Sequence, residues 1–241
     1  MKTPARHARR GFTLIEILVV IGIILILLGM VVLGFRHIDA VASKRDTVAE
    51  LHVCRDLLTE YEKLNGNSNI LNAVAAQFAS PMPPYSIDIN KLMKNGSDMS
   101  DRSNSGARYD SPAVDITRYV MQNFLMRVPR NRSMVGSLPT KRILESPPNT
   151  PPYTIDQTVV LDGWGNPIIF VPPGGLHVNI RDPQAPANSK PPEYIVRTSG
   201  TFLVGQIAQH PLSPADRPFF ASAGQDGDFT KGEDNIYSFQ D

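Results

Sequence analysis

The sequence predicts an α+β fold: a long N-terminal helix, apolar in its first half and amphipathic in its second, packed on a small C-terminal antiparallel β-sheet. Three observations predict it. No proline interrupts residues 12–64, so a helix can run unbroken there. Ile17–Phe35 is a continuous uncharged run. Beyond residue 157, short β-rich stretches alternate with Gly, Pro, Asn and Asp, which is the pattern of strands and tight turns.

The apolar run of 19 residues spans roughly 28 Å as a helix, close to the thickness of a bilayer core. A soluble core helix rarely stays apolar on every face for so long. A cleaved secretory signal would have a shorter apolar core and a small-residue cut site. Here the run leads into "VVLGFRHIDAV", which continues as helix. Lys2, Arg6, Arg9 and Arg10 precede it with no acid among residues 1–11. That flank places the N-terminus on the cytoplasmic side and the rest of the chain outside. The net charge is +1, leaving about −3 beyond the flank, so no overall basic field points to nucleic acid.

Val48, Leu51, Cys54, Leu58 and Tyr61 then recur at spacings of three and four, with Asp46, Glu50, Arg55 and Glu62 assigned to other faces. Asn65 and Gly66 are C-cap candidates. Cys54 is the single cysteine, which excludes an intrachain disulfide. His52 and Cys54 do not have a zinc spacing.

Residues 65–157 hold ten prolines from Pro81 to Pro152, and "KNGSDMSDRSNSGARYDSP" reads as a long polar loop. Ile116, Tyr119, Val120 and Phe124 predict a short amphipathic helix packed on the sheet. Arg127, Arg130, Arg132, Lys141 and Arg142 lack interleaved aromatics and read as a solvated basic surface.

Strands are expected in "TVVLDGWGNPIIFVPP", "PEYIVRTSGTFLVG" and "RPFFASAGQDGDF". In the first, Gly163, Gly165, Asn166 and Pro167 predict a turn or bulge with Trp164 packed beside it. Near the end, Asp226, Asp228, Glu233 and Asp234 fall within nine residues, with Asn235 next and Gly224, Gly227 and Gly232 around them. By spacing alone this is either a solvated acidic turn or a set of hard oxygens for Ca²⁺. It is not an EF-hand.

"RRGFTLIEILVVIGIILILL" resembles the N-terminus of type IV pilins and type II secretion pseudopilins: a basic leader, then Gly11, Phe12, Thr13, Leu14 and Glu16. The resemblance implies cleavage by prepilin peptidase after Gly11 and N-methylation of the new Phe12 amine. It divides the chain into a leader (1–11), a transmembrane helix half (12–35), an amphipathic half (36–64), a variable insertion (65–157) and a C-terminal β domain (158–241). It also accounts for Glu16. A carboxylate among apolar side chains costs a few kcal/mol in a membrane. Pairing with a neighbouring subunit's Phe12 amine offsets that cost and sets the axial register of a filament. The bland alternative is that Glu16 snorkels at the interface.

"DGWGNP", "SAGQDGD" and "GEDNI" resemble the C-terminal domain of the major (G-type) pseudopilin of type II secretion. That resemblance implies a structural calcium, with Asp226, Asp228, Asp234 and Asn235 as ligands and Ser222 as a neighbour. The chain departs from the pattern in its Asn235-Ile236 step and in a shortened glycine run that contains Lys231.

The implied role is a structural subunit, not an enzyme, in the inner (cytoplasmic) membrane, single-pass with a periplasmic C-terminal domain. Its implied partners are copies of itself, prepilin peptidase, the inner-membrane secretion platform and minor pseudopilins. The alternatives are a type IV pilus subunit for adhesion or DNA uptake, and a monomeric membrane-anchored binding protein. No G-x-S-x-G, P-loop or Cys/His dyad is present to support catalysis.

Overall fold

The structure, a computed structural model, describes residues 14–66, 70, 72, 86–88, 112–145, 158–179, 192–230 and 232–240, with backbone only at 31–37, 86–88 and a few further positions. It is α+β. Helix α1 is Leu14–Asn65, 52 residues long, as the absence of proline predicts. It stops at Gly66, whose φ of 72° is the left-handed conformation favoured just past a helix end. The Gly66 N–H still bonds to the Glu62 carbonyl at 2.9 Å.

The chain forms two compact units, Met1–Ala42 and Ser43–Asp241. In the first, the large apolar side chains from Leu14 to Met30 are 50–83% exposed, on every face of the helix. Among the described residues no helix is long and apolar enough to cross a membrane. Side chains are described from Leu14 to Met30 and again from Ile38, and those of residues 31–37 lie outside the description.

Among its described residues the second unit contains the rest of α1, then helices α2 (Pro112–Asn123) and α3 (Pro129–Gly136), and nine short strands. Pro129 opens α3, where its missing N–H costs nothing. The strands are β1 (Ser86–Asp88), β2 (Ile143–Glu145), β3 (Thr158–Val160), β4 (Ile169–Val171), β5 (Gly175–Asn179), β6 (Glu193–Arg197), β7 (Gly200–Leu203), β8 (Phe219–Ser222) and β9 (Ile236–Tyr237). Among the described residues they form three small sheets, where the sequence predicts one. The orders are β1-β5-β6-β7, β2-β3 and β4-β8-β9. All pairings are antiparallel except β1 with β5.

The β4-β8 pair separates two cores. Strand side chains alternate between faces, so Ile168, Phe170 and Phe220 enter the core beneath α1, while Ile169, Val171, Phe219 and Ala221 enter a second core with Leu176, Val178 and Val196. The Phe170 and Phe220 rings meet edge to face at 5.6 Å, a favoured aromatic geometry. α2 serves both cores, with Val120 and Met121 in the first and Ala113 and Val114 in the second.

The predicted stripe of α1 is buried at Leu51, Cys54, Leu58 and Tyr61, joined by Leu57. Glu50, assigned by spacing to a face other than the stripe, is buried with it, at 4% exposed. Arg142 corrects the reading of a solvated basic cluster, for it is buried too. Each explains the other, because a buried charge persists only when paired. Arg197, buried outside that cluster, donates from Nε to the Gly174 carbonyl at 3.1 Å and from Nη1 to the His210 carbonyl at 2.9 Å. It ties the segment after β7 to the β4–β5 turn.

Candidate functional site

Three places carry the residues singled out by the sequence. The first is the N-terminus. Gly11 and Phe12 lie outside the described residues. Glu16 stands in the first turn of α1, exposed among exposed apolar neighbours.

The second is the "DGWGNP" turn between β3 and β4. Asp162 is fully buried. Its Oδ1 accepts the N–H groups of Trp164 at 2.9 Å and Asn166 at 2.8 Å. Its Oδ2 accepts the Ser222 hydroxyl at 2.7 Å. Burial pushes the Asp162 carboxyl above its ordinary range, and these hydrogen bonds pull it back. Gly165 takes the positive φ, 83°. Leu161 and Pro167 form a bridge that closes the turn.

Gly163 does a different job from the one its residue type suggests. It carries no positive φ; it allows close approach. A Cβ built there would lie 1.9 Å from the Ser43 carbonyl oxygen of α1. At this contact the Gly163 N–H donates to Thr47 Oγ1 at 2.8 Å, and that hydroxyl donates to the Ser43 carbonyl at 2.8 Å. Beside it, Arg142 Nη1 donates to the Asp162 carbonyl at 2.6 Å, Nε meets Glu50 Oε1 at 3.0 Å, and Nη2 pairs with Asp46. The turn is therefore where α1 is fastened to the β-strands. Cys54, one turn further along α1, has its thiol pushed up by burial and by the Glu50 charge, so it is no nucleophile.

The third place is the acidic loop after β8. Asn166 joins it to the turn, donating from Nδ2 to the Gly224 carbonyl at 2.6 Å. Within the loop the carboxylates fold the chain on itself. Asp234 Oδ2 accepts the Asp226 N–H at 3.1 Å, Asp226 Oδ1 accepts the Asp228 N–H at 2.8 Å, and Asp228 Oδ1 accepts the Thr230 N–H at 2.9 Å. Phe229, 1% exposed, anchors the loop in the second core. The structure thus brings Asp226, Asp228 and Asp234 into one loop. Ser222 is turned away, its hydroxyl committed to Asp162 and to the Gly224 N–H. Asn235 donates its amide N–H to the Phe229 carbonyl at 3.0 Å, while its Oδ1 is buried with no hydrogen-bond partner. Among the described residues, no three His, Cys, Asp or Glu side chains converge as a metal-holding group. The three carboxylates instead accept backbone N–H groups within the loop.

Residues 6–32 match the family described as the prokaryotic N-terminal methylation motif. The match supports a type IV pilin-like, prepilin-type protein that is processed by prepilin peptidase and anchored at a membrane. Comparison with curated proteins and with solved structures gives no match.

Sequence reasoning missed the roles of Glu50, Arg142 and Thr47. For Glu50 and Thr47 the only signal was a charged or hydroxyl side chain next to the apolar stripe of α1, which by itself reads as a solvated edge, and Arg142 stood in a basic cluster that reads as solvated surface.

Proposed function

We propose that the chain is a structural subunit, not an enzyme, of a type II secretion pseudopilus. The precursor is stored single-pass in the inner membrane, with residues 12–35 spanning it, the N-terminus cytoplasmic and the C-terminal domain periplasmic. Prepilin peptidase cuts between Gly11 and Phe12, Phe12 is N-methylated, and the subunit joins a helical filament on the secretion platform, with minor pseudopilins as further partners. In the filament Glu16 pairs with the Phe12 amine of a neighbour and fixes the register. The observation that carries this reading is the methylation motif over residues 6–32, running into a helix whose apolar side chains are exposed on all faces. The likeness of the "DGWGNP" and "SAGQDGD" stretches to the major pseudopilin favours secretion over a type IV pilus.

The test is intact mass together with filament recovery. Chain recovered from membranes of a host with prepilin peptidase is expected to begin at Phe12 and to carry one added methyl group. Glu16→Ala is expected to insert and to anchor but to yield roughly tenfold fewer filaments or worse, because an unpaired amine in apolar surroundings costs a few kcal/mol. A chain retaining residues 1–11, or full assembly of Glu16→Ala, favours a plain membrane anchor.

The acidic loop adds a second expectation. Calcium held by Asp226, Asp228, Asp234 and Asn235 would satisfy the orphaned Asn235 oxygen and clamp the loop. Full chain in detergent is then expected to melt several degrees lower after EDTA and to recover on added calcium. An unchanged Tm makes the loop a solvated acidic turn closed by its own hydrogen bonds.

A further inference from the structure

The charges at the α1 fastening do not balance. One guanidinium, Arg142, faces two carboxylates, Asp46 and Glu50. Asp162, fully buried beside them, adds a third acid. Lys141 is the other cation nearby, and it is exposed. From α1 itself the Cys54 thiol also faces Glu50. Asp46 is half exposed, with its side chain at 52%, so water stabilises its charge. Glu50 lacks that outlet. Its Oε1 meets Arg142 at 3.0 Å, and its Oε2 is buried with no hydrogen-bond partner. A carboxylate oxygen left bare in the interior costs far more charged than neutral.

We propose that Glu50 is a proton-sensitive clasp between α1 and the 161–167 turn, tight when its carboxyl is protonated and looser when it is ionised. In the neutral state Arg142 serves Asp46 and the Asp162 carbonyl, and the cluster holds one fewer unpaired negative charge. On ionisation, two carboxylates share the charge of one guanidinium, and the bare Oε2 draws water into the contact where Gly163 meets α1.

Burial raises the Glu50 carboxyl from 4.5 to about 7, with Asp46 and Asp162 adding to the rise and Arg142 and Lys141 opposing it. Because the folded value lies above the unfolded one, the stabilisation is complete below about 4.5 and is lost as pH rises through about 7.

The test is thermal melting of the full chain in detergent from about pH 5 to about pH 8. Relative to Glu50→Gln, the wild type is expected to lose about 5 °C of Tm across that range. Asp46→Asn removes a charge that favours the protonated form, so its transition is expected at lower pH than in the wild type. An infrared band from a protonated carboxyl near neutral pH is expected in the wild type and absent from Glu50→Gln. Parallel Tm curves for wild type and Glu50→Gln overturn the proposal. If Glu50→Gln does not fold, an unshifted transition in Asp46→Asn overturns it instead.

Discussion

Gly163→Ala is expected to destabilise the Ser43–Asp241 unit by about 3 kcal/mol, at the upper end of overpacking costs, and to lower Tm by roughly 6–12 °C. The added methyl would sit 1.9 Å from the Ser43 carbonyl oxygen and 2.5 Å from its carbon. Both are backbone atoms of a helix, which cannot rotate away as a side-chain tip can. The turn must retreat from α1, and the Gly163 N–H bond to Thr47 goes with it. Gly165 is the control. It has positive φ but open space around its Cβ position, so Gly165→Ala meets only backbone strain, about 1 kcal/mol. Melting of the two variants side by side checks the distinction. Equal losses would mean that the turn's conformation matters and its closeness to α1 does not.

Arg142→Ala is expected to cost about 3–5 kcal/mol, the usual result of removing one member of a buried ion pair. The loss is larger than the worth of the contacts, because Glu50 is left in the interior with no cation. The Asp162 carbonyl also loses its donor. Asp46→Ala is expected to cost no more than about 1 kcal/mol, since a half-exposed carboxylate is already served by water. Denaturant unfolding at neutral pH checks both. At about pH 5, where Glu50 takes up a proton, the Arg142→Ala penalty is expected to shrink.

Much of the fold was legible because local pattern and tertiary structure agree. The absence of proline and the spacing of Leu51, Cys54, Leu58 and Tyr61 define α1 and its buried stripe. Ile116, Tyr119 and Val120 define α2, which packs on the strands as expected. The "DGWGNP" turn declares itself through residue type. The division into three sheets was not legible, because β5 is a five-residue strand that starts inside a proline-glycine turn and β1 pairs with it from far upstream. Nothing local distinguishes such a strand from loop. At the candidate site, the acidic loop could be found from composition, but Glu50 could not. A glutamate beside an apolar stripe reads as a solvated edge, and its burial depends on an arginine more than ninety residues away. The role of Gly163 was equally hidden: a turn glycine suggests a left-handed backbone, whereas here the missing Cβ matters for contact.

The fastening of α1 joins residues 116 apart, Thr47 and Gly163, and 96 apart, Asp46 and Arg142. A ribosome makes the chain from the N-terminus, so this stretch of helix emerges long before anything exists to cover it. What waits uncovered there is a hydroxyl and two carboxylates, groups that water accepts. An apolar seam in the same place would be open to the wrong neighbour throughout that interval. The polar fastening thus bears on the order of events during synthesis as well as on the finished fold: the helix can be present early without being sticky where Arg142 and the 161–167 turn must land.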